Sequence, residues 1–296
     1  MFVIKYRKIF YALSAIIIGV SIYGIAVFGL KLGIDFTGGA NLEMTFKDAP
    51  DISAIKNRLN ILNLGDYSIR PTGENGVIIR TKNLTEPERL SLVATVSGED
   101  TSATVKEFDS VGPILGEELQ GKALMSIVFV ILAIVIFITF AFRKVSRPVA
   151  SWKYGLVAII ALLHDVIVPL GVFVFLGHYV GTELDSLFVT AVLVVLGFSV
   201  HDTIVVFDRT RENLRKESGK KSFEQVVGES VSQTFGRSIN TSLTTIISLV
   251  VLYVLGPEAT RNFALALLVG ITAGTYSSIF IGSPLLVTLE RWQKKA

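Results

Sequence analysis

Six stretches of the chain are almost continuously apolar, and charged residues are concentrated in the segments between them. These stretches cover residues 9–30, 123–142, 152–176, 186–207, 238–255 and 263–289. A helix needs ~20 mainly apolar residues to cross the hydrocarbon core of a bilayer, so each stretch predicts one transmembrane helix. The last stretch is long enough to tilt or to extend beyond the membrane. The pattern therefore predicts a polytopic α-helical membrane protein.

Residues 31–121 interrupt this pattern and resemble ordinary soluble protein. Strands are predicted at 41–46, 67–70, 77–81 and 102–108, and helices at 52–62 and from residue 85 onward. Asp51 is a candidate N-cap for the first helix, and Thr85 with Glu88 forms a candidate capping box for the second. The order βαββαβ predicts a ferredoxin-like α+β sandwich. Because its acidic residues are scattered and it contains no histidine, we expect a passive or protein-contacting module rather than a hydrolytic site.

Charge placement predicts the orientation of the spans. Charged residues make up 18% of the chain, against about 25% in a typical soluble domain. Basic residues cluster before the first stretch, after the fourth, after the sixth, and between the second and third, where they are Arg143, Lys144 and Arg147. The positive-inside rule then places both termini and a loop at about 209–235 in the cytoplasm. The predicted layout is a cytoplasmic N-terminus and first span at 1–30, an extracytoplasmic domain at 31–121, and five spans within 122–296.

Several classes of site are excluded or disfavoured. The chain has no cysteine, which excludes disulfides, zinc–thiolate sites, iron–sulfur clusters and a cysteine nucleophile. A metal site built from His164 and His201 has no supporting ligand spacing, so no metal or cofactor is predicted. The first stretch begins like a signal peptide, but residues 9–30 exceed the ~7–15 residues of a signal h-region, so we expect an uncleaved anchor.

Ionisable residues inside the predicted spans are candidates for function, because burying a charge in lipid is costly. Asp202 lies near one end of the fourth stretch, and Arg237 precedes the fifth at a comparable predicted depth. Arg237 belongs to a polar stripe whose members are spaced three or four residues apart: Gln233, Arg237, Asn240 or Thr241, Thr244 and Ser248. We expect Asp202 to pair with Arg237, so that their separation controls the protonation of the carboxyl group. The alternative is a static ion pair that fixes helix packing.

Two histidines lie beside buried acidic positions. His164 and Asp165 fall midway along the third stretch, where a proton relay and a packing pair satisfied by neighbouring helices are both open interpretations. His201 precedes Asp202 but points about 100° away from it on a helix, so the two need not share a partner. These residues, together with the Asn and Thr of the polar stripe, are the candidate relay or polar lining.

Small residues mark three further places. Gly33, Gly38 and Gly39 precede the first predicted strand, and Gly112, Pro113 and Gly116 follow the last. These joints suggest a hinge on which the outer domain tilts as a rigid body, with ordinary turn chemistry as the alternative. In the sixth stretch Gly270, Gly274, Ser278 and Gly282 recur every four residues. This small-xxx-small face predicts close packing against a helix of this chain or of a partner.

Three motifs together resemble the SecD/SecF family of bacterial protein-export membrane proteins. They are GIDFTGG at 33–39, VGPILGEEL at 111–119 and GFSVHDTIVVFDRTREN at 197–213, and the resemblance runs along the whole chain in order. It implies that Asp202 is a proton-carrying acid partnered by Arg237, in a proton-motive-force-coupled subunit of the inner membrane. It also implies a complex with SecD, work beside the SecYEG channel on a translocating unfolded polypeptide, and no covalent chemistry. His201 departs from the family pattern, in which asparagine commonly precedes the aspartate, so no role is transferred to it.

Three other functions are alternatives, although six spans and one outer domain of ~90 residues argue against the first. A proton-coupled exporter of small molecules or lipids of the resistance-nodulation-division type resembles a doubled version of this chain, with twelve spans and larger outer insertions. An intramembrane enzyme needs a paired acid or metal constellation in facing spans, for which only the His-Asp dipeptides are available. A purely structural scaffold would be indifferent to proton uncouplers.

Overall fold

The computed structural model describes residues 2–62, 65–98, 100–142, 151–217 and 221–295. The predicted basic link containing Arg143, Lys144 and Arg147 lies outside these ranges. The chain divides into two compact units. One unit comprises residues 1–31 and 124–296, which we call the helical unit, and the other comprises residues 32–123, which we call the sheet unit.

Within the described residues, six helical segments are long and apolar enough to cross a membrane, as predicted. In chain order the helices are α1 (Phe2–Lys5), α2 (Arg7–Phe28), α3 (Ile34–Thr37), α4 (Ile52–Ile61), α5 (Glu86–Ser97), α6 (Pro113–Ala141), α7 (Ser151–Tyr179), α8 (Ser186–Lys216), α9 (Phe223–Leu255), α10 (Glu258–Tyr276) and α11 (Ser283–Lys295). A π-helical turn, Ser277–Gly282, joins α10 to α11, and the three together form the sixth candidate span.

Helices α8 and α9 both extend into the segment predicted as a loop. Asp185 caps α8, because its side chain accepts a 2.7 Å hydrogen bond from the Phe188 amide. A capping box of Ser222 and Gln225 begins α9, which then runs without a break to Leu255. Phe223 and Val227, which fall in the segment predicted as a loop, are buried in the first turns of α9.

The sheet unit has the predicted element order. Its strands are β1 (Gly39–Thr45), β2 (Ser68–Thr72), β3 (Gly76–Thr81) and β4 (Thr104–Val111), all antiparallel to their neighbours in the spatial order β2-β3-β1-β4. Alternate residues of the two central strands are fully buried against α4 and α5, as expected for a sheet covered on one face. The core consists of Leu42, Met44, Phe46, Ile55, Leu59, Val77, Ile79, Leu92 and Val96.

The small-residue face of the sixth span packs against α8 of the same chain. A Cβ atom added at Gly270 would lie 2.3 Å from a methyl carbon of Val195, and one at Gly274 would lie 2.8 Å from the Cβ of Ser199. These glycines therefore let α10 approach α8 closely, as small residues do between membrane helices. This decides between the two partners that the pattern left open.

Candidate functional site

Asp202 lies on α8 and faces hydroxyl groups of α9. Its side chain is buried, with 2% of the residue exposed, and the Ser242 hydroxyl donates a long 3.4 Å hydrogen bond to it. Ser238, one turn earlier, faces the same carboxyl group but makes no hydrogen bond of its own within the described chain. Ser242 also bonds the hydroxyl of Thr275 on α10 at 2.6 Å. Asp202 is thus linked to α9 and α10 through hydroxyl groups.

The expected ion pair between Asp202 and Arg237 is not formed among the described residues. Arg237 is exposed on the helical unit and borders a half-open cleft of about 590 Å³ together with Asp208, Arg209 and Gln233. Successive residues of a helix are about 100° apart, so the serines at 238 and 242 face α8 while Arg237 points to another side of α9. The predicted polar stripe does share one face of α9, but a different polar face of the same helix contacts Asp202.

That inward face of α9 is the group of residues that the sequence analysis missed. Its hydroxyl residues recur every four positions and are all buried: Ser230, Thr234, Ser238 and Ser242. Ser and Thr at this spacing predict a polar helix face. The same helix has a second face with the same spacing, formed by Arg237, Asn240, Thr241 and Thr244, and the sequence does not show which of the two is buried; in the structure this second face is exposed. On the outer stripe the Thr244 hydroxyl bonds the Asn240 carbonyl of its own helix at 2.7 Å.

Asp165 is another buried carboxyl group, and several hydrogen-bonding groups converge on it. It is fully buried on α7 and accepts hydrogen bonds from the Ser199 hydroxyl of α8 and from the Ser277 hydroxyl at 2.9 Å. It also forms a 3.0 Å hydrogen bond with Nδ1 of His164. His164 is itself 2% exposed, and its ring stacks on Tyr276 with 5.9 Å between centroids. Its Nε2 atom is buried without a hydrogen-bond partner in the part of the chain that is described.

The two carboxyl groups share one hydroxyl-rich interior. Ser278 donates to the Ser199 carbonyl at 3.1 Å and bonds the Thr203 hydroxyl at 2.8 Å, so the π-helical turn touches α8 beside both sites. Single π-turns inside helices are frequent at functional sites. His201, in contrast, is exposed on α8. Among the described residues, no three His, Cys, Asp or Glu side chains lie close enough together to hold a metal ion.

Three of the predicted hinge residues, Gly38, Pro113 and Gly116, pack on one another inside the sheet unit. Gly38 and Gly39 have φ values of +71° and +126°, which favour glycine. A Cβ atom at Gly38 would lie 2.8 Å from the Cα of Pro113, and one at Gly116 would lie 2.8 Å from the Gly38 nitrogen. Gly33 precedes α3 and Gly112 ends the return from β4, both next to this contact. We call these six residues the glycine clasp. Close backbone approach explains at least three of its glycines.

Comparison with known proteins identifies the relatives of this chain. The family profile described as "Protein export membrane protein SecD/SecF, C-terminal" matches residues 92–292, and the "SecD/SecF GG Motif" matches residues 23–50. A protein translocase subunit SecF from Thermobaculum terrenum is 42% identical over 97% of this chain and 93% of its own length. The SecF subunit from Anaerolinea thermophila is 40% identical over 96% of this chain and 92% of its own length.

A solved structure has the same fold over nearly the whole chain. The crystal structure of SecDF from Thermus thermophilus, described as a translocon-associated membrane protein, superimposes with a TM-score of 0.84 and 29% identity. The superposition covers 98% of this chain but 38% of the SecDF chain. A second SecDF structure, in a super-membrane-facing form, gives a TM-score of 0.67 at 30% identity over 99% of this chain and 38% of the other.

Proposed function

Because this chain belongs to the SecD/SecF family of protein export membrane proteins, we propose that it works with SecD as an auxiliary subunit of the Sec translocon. In this role it uses the proton motive force to promote the movement of unfolded polypeptide through the SecYEG channel. The cited relatives are named protein translocase subunits, which is a transport role without covalent chemistry on a substrate. The small-molecule exporter gains no support from these names.

The observation that carries the proton-coupling proposal is the environment of Asp202. An intramembrane carboxyl group is costly to keep charged unless it is paired, and functional membrane acids are therefore the usual proton carriers. Asp202 is buried, its hydrogen-bond donor is a hydroxyl group, and no Lys or Arg among the described residues pairs with it. Gain or loss of one proton therefore changes the charge of this site, and no Lys or Arg side chain of the described chain pairs with it to compensate.

The hydroxyl contacts of Asp202 supply a route from protonation to helix movement. A protonated carboxyl group can donate a hydrogen bond, whereas a carboxylate only accepts. Protonation would therefore redirect the Ser242 hydroxyl, which bridges Asp202 to Thr275 and so joins α8, α9 and α10. One proton crossing 100 mV releases about 2.3 kcal/mol, enough to bias a packing equilibrium among these three helices.

The exposed stripe of α9 provides the surface for SecD. Arg237 is an arginine within a candidate span, and it makes no ion pair within the described chain. Intramembrane charges face the bundle interior, a wet cavity or a partner rather than lipid, and Arg237 borders the half-open cleft on the surface of the helical unit, where a partner can reach it. We assign Arg237 to pairing with an acidic group of SecD rather than with Asp202. Asn240, Thr241 and Thr244 extend the same contact surface.

His164 and Asp165 form a candidate relay beside the carrier. The Asp165 carboxyl group reaches α8 through Ser199, three residues before Asp202 on the same helix. The free Nε2 of His164 offers a position that a proton could occupy without breaking the bond to Asp165. A static packing role for the pair remains the alternative, and it predicts that His164→Gln leaves proton-driven export intact.

The sheet unit is assigned to the outer face of the membrane as a ferredoxin-like domain. The strand order β2-β3-β1-β4 and the two helices on one face suit that fold. Because Gly38 packs on Pro113 and Gly116, we expect the two connecting segments to move together with the domain as one rigid unit, rather than as two independent flexible linkers. Both termini are assigned to the cytoplasm from the distribution of basic residues.

The test compares two aspartates of α8 in inverted membrane vesicles that contain the full complex. Asp202→Asn keeps the shape of the side chain and removes the titratable group, so we expect the proton-gradient-dependent part of precursor export to be lost. Asp208→Asn is the matched control, because Asp208 is exposed and is paired only loosely, at 3.6 Å, with Arg211. Asp208→Asn should export like the wild type.

The possible outcomes separate the parts of the proposal. Loss of gradient-dependent export in Asp202→Asn, with normal insertion and normal binding of SecD, supports the carrier role. Normal gradient-dependent export in Asp202→Asn contradicts it. For the partner surface, Arg237→Ala should weaken co-purification with SecD in mild detergent while Asp202→Asn does not. Equal retention of SecD by both variants would contradict the assignment of Arg237.

A further inference from the structure

The sheet unit ends in a strand whose outer edge is unpaired. β4 is the last strand of the order β2-β3-β1-β4, and no strand of the described chain pairs with its outer side. Most of its eight residues are exposed, and they contain no proline. An open edge of this kind presents a row of backbone N–H and C=O groups that can pair with another chain.

The opposite edge of the sheet, formed by β2, is protected against pairing with another strand, whereas the edge formed by β4 is not. β2 has five residues, and Pro71 within it lacks the N–H group needed for pairing. β4 has an irregularity at Lys106, where the register with β1 shifts, but the run from Glu107 to Val111 pairs regularly. The Lys106 amino group bonds Glu43 of β1 at 2.6 Å, so this lysine reaches back toward the sheet rather than beyond its edge.

We propose that residues 107–111 of β4 bind an extended segment of the exported polypeptide by strand addition. This inference rests on the proposed function, because it takes its occupant from the role in export. In strand addition, main-chain hydrogen bonds supply the affinity and side chains add selectivity. Chains in export share their peptide backbone and little else, so an edge that reads backbone groups suits a sequence-diverse substrate.

The charges along the edge favour one kind of segment. Glu107 and Asp109 are exposed on this run, whereas the only lysine of β4 is already paired with Glu43. The edge is therefore locally acidic. A basic or neutral extended segment is expected to bind it better than an acidic one, because like charges placed opposite each other on neighbouring strands are destabilising.

The test uses photo-crosslinking in vesicles that hold the full complex and a stalled export intermediate. A photoreactive residue is placed at Glu107 or Asp109, and at Lys56 on α4 or Glu74 in the β2–β3 turn as exposed controls. We expect adducts to the exported chain several-fold above the controls at both β4 positions. Moving the stalled chain by one residue should shift the crosslinked position by one, as an extended strand requires.

Two proline variants test the backbone contact itself. Successive residues of a strand direct their N–H groups to opposite sides, so only one of Asp109→Pro and Ser110→Pro removes an N–H from the open edge. The other proline variant removes an N–H group that pairs with β1, and it is recognised because the amides of β1 and β4 lose protection from hydrogen exchange. The variant that keeps this protection should lose the adducts.

The outcomes are distinct from those of the proposed function. Adducts to SecD or to a second copy of this chain, in place of the exported polypeptide, would overturn the inference because the edge is then occupied by a subunit. Control-level crosslinking in vesicles that still show gradient-driven export would also overturn it, while the proposed function would stand. Absence of gradient-driven export in vesicles with the unaltered chain would overturn the proposed function, and this inference with it.

Discussion

The contact between α10 and α8 at Gly274 is the most direct structural test of the hydroxyl-rich interior. A Cβ atom at this position would lie 2.8 Å from the Ser199 Cβ and 3.1 Å from its hydroxyl oxygen. Ordinary carbon contacts are about 3.5–4.0 Å, so the Gly274→Ala variant needs about 0.7–1.2 Å of extra space there. Ser199 is also the residue that donates to Asp165 and accepts from Ser278.

The expected loss of stability follows from three effects. Overpacking a close contact costs about 1–3 kcal/mol. Stretching the hydrogen bonds at Ser199 adds about 1 kcal/mol for each bond that is weakened. The better helix propensity of alanine offsets about 1 kcal/mol. We therefore expect Gly274→Ala to lower the free energy of unfolding by about 1–4 kcal/mol.

Gly197→Ala is the matched control for Gly274→Ala. Gly197 lies on α8, where an added Cβ meets nothing within 4 Å, so this variant carries the same propensity gain without the clash. Apparent melting temperatures of the full chain in mild detergent should differ between the two variants by roughly 2–4 °C for each kcal/mol. Ser199→Gly removes the clashing atom, and it should cost less in the Gly274→Ala background than in the wild type. Equal melting temperatures for the two alanine variants, or strictly additive effects with Ser199→Gly, would refute the reasoning.

Three further variants test local features of the fold. Asp51 accepts hydrogen bonds from the Ser53 and Ala54 amides in the first turn of α4, at 2.9 and 3.2 Å. Asp51→Ala should therefore destabilise that helix by about 1 kcal/mol, measured as faster hydrogen exchange in α4. The pKa of Glu88 is lowered to about 2, first by the Thr85 amide and then by the Thr85 hydroxyl. The stabilisation from this carboxylate is therefore complete above pH 4.5, its ordinary pKa, and is lost as the pH falls toward 2. Glu88→Gln should remove this pH dependence, measured by hydrogen exchange in α5. Glu224 forms ion pairs with Arg7 at 3.0 Å and with Arg291 of α11. Glu224→Gln should therefore lower the melting temperature at low salt, and the difference from the wild type should shrink at high salt.

Local patterns along the chain were sufficient to predict the six spans and the main strands and helices of the sheet unit. Apolar runs of spanning length identified six helices, and alternating residues with caps at Asp51 and Thr85 identified the strands and helices of the sheet unit. These predictions succeed because helix and strand periods are local properties, set by 3.6 and 2 residues per repeat. The spacing of Gly270 and Gly274 likewise predicted close packing.

Which faces meet was decided only by the tertiary structure. α9 has two polar faces, one with Ser238 and Ser242 and one with Arg237, and both satisfy the same spacing rule. The serine face meets Asp202 because α8, α9 and α10 pack where small side chains allow close approach, and Arg237 is left on the outside. The same holds for the glycine clasp, where contact between Gly38 and Pro113 depends on β1 and β4 being neighbours. A periodic pattern specifies which residues share a face, whereas the partner of that face depends on side-chain volumes and helix crossings far apart in sequence.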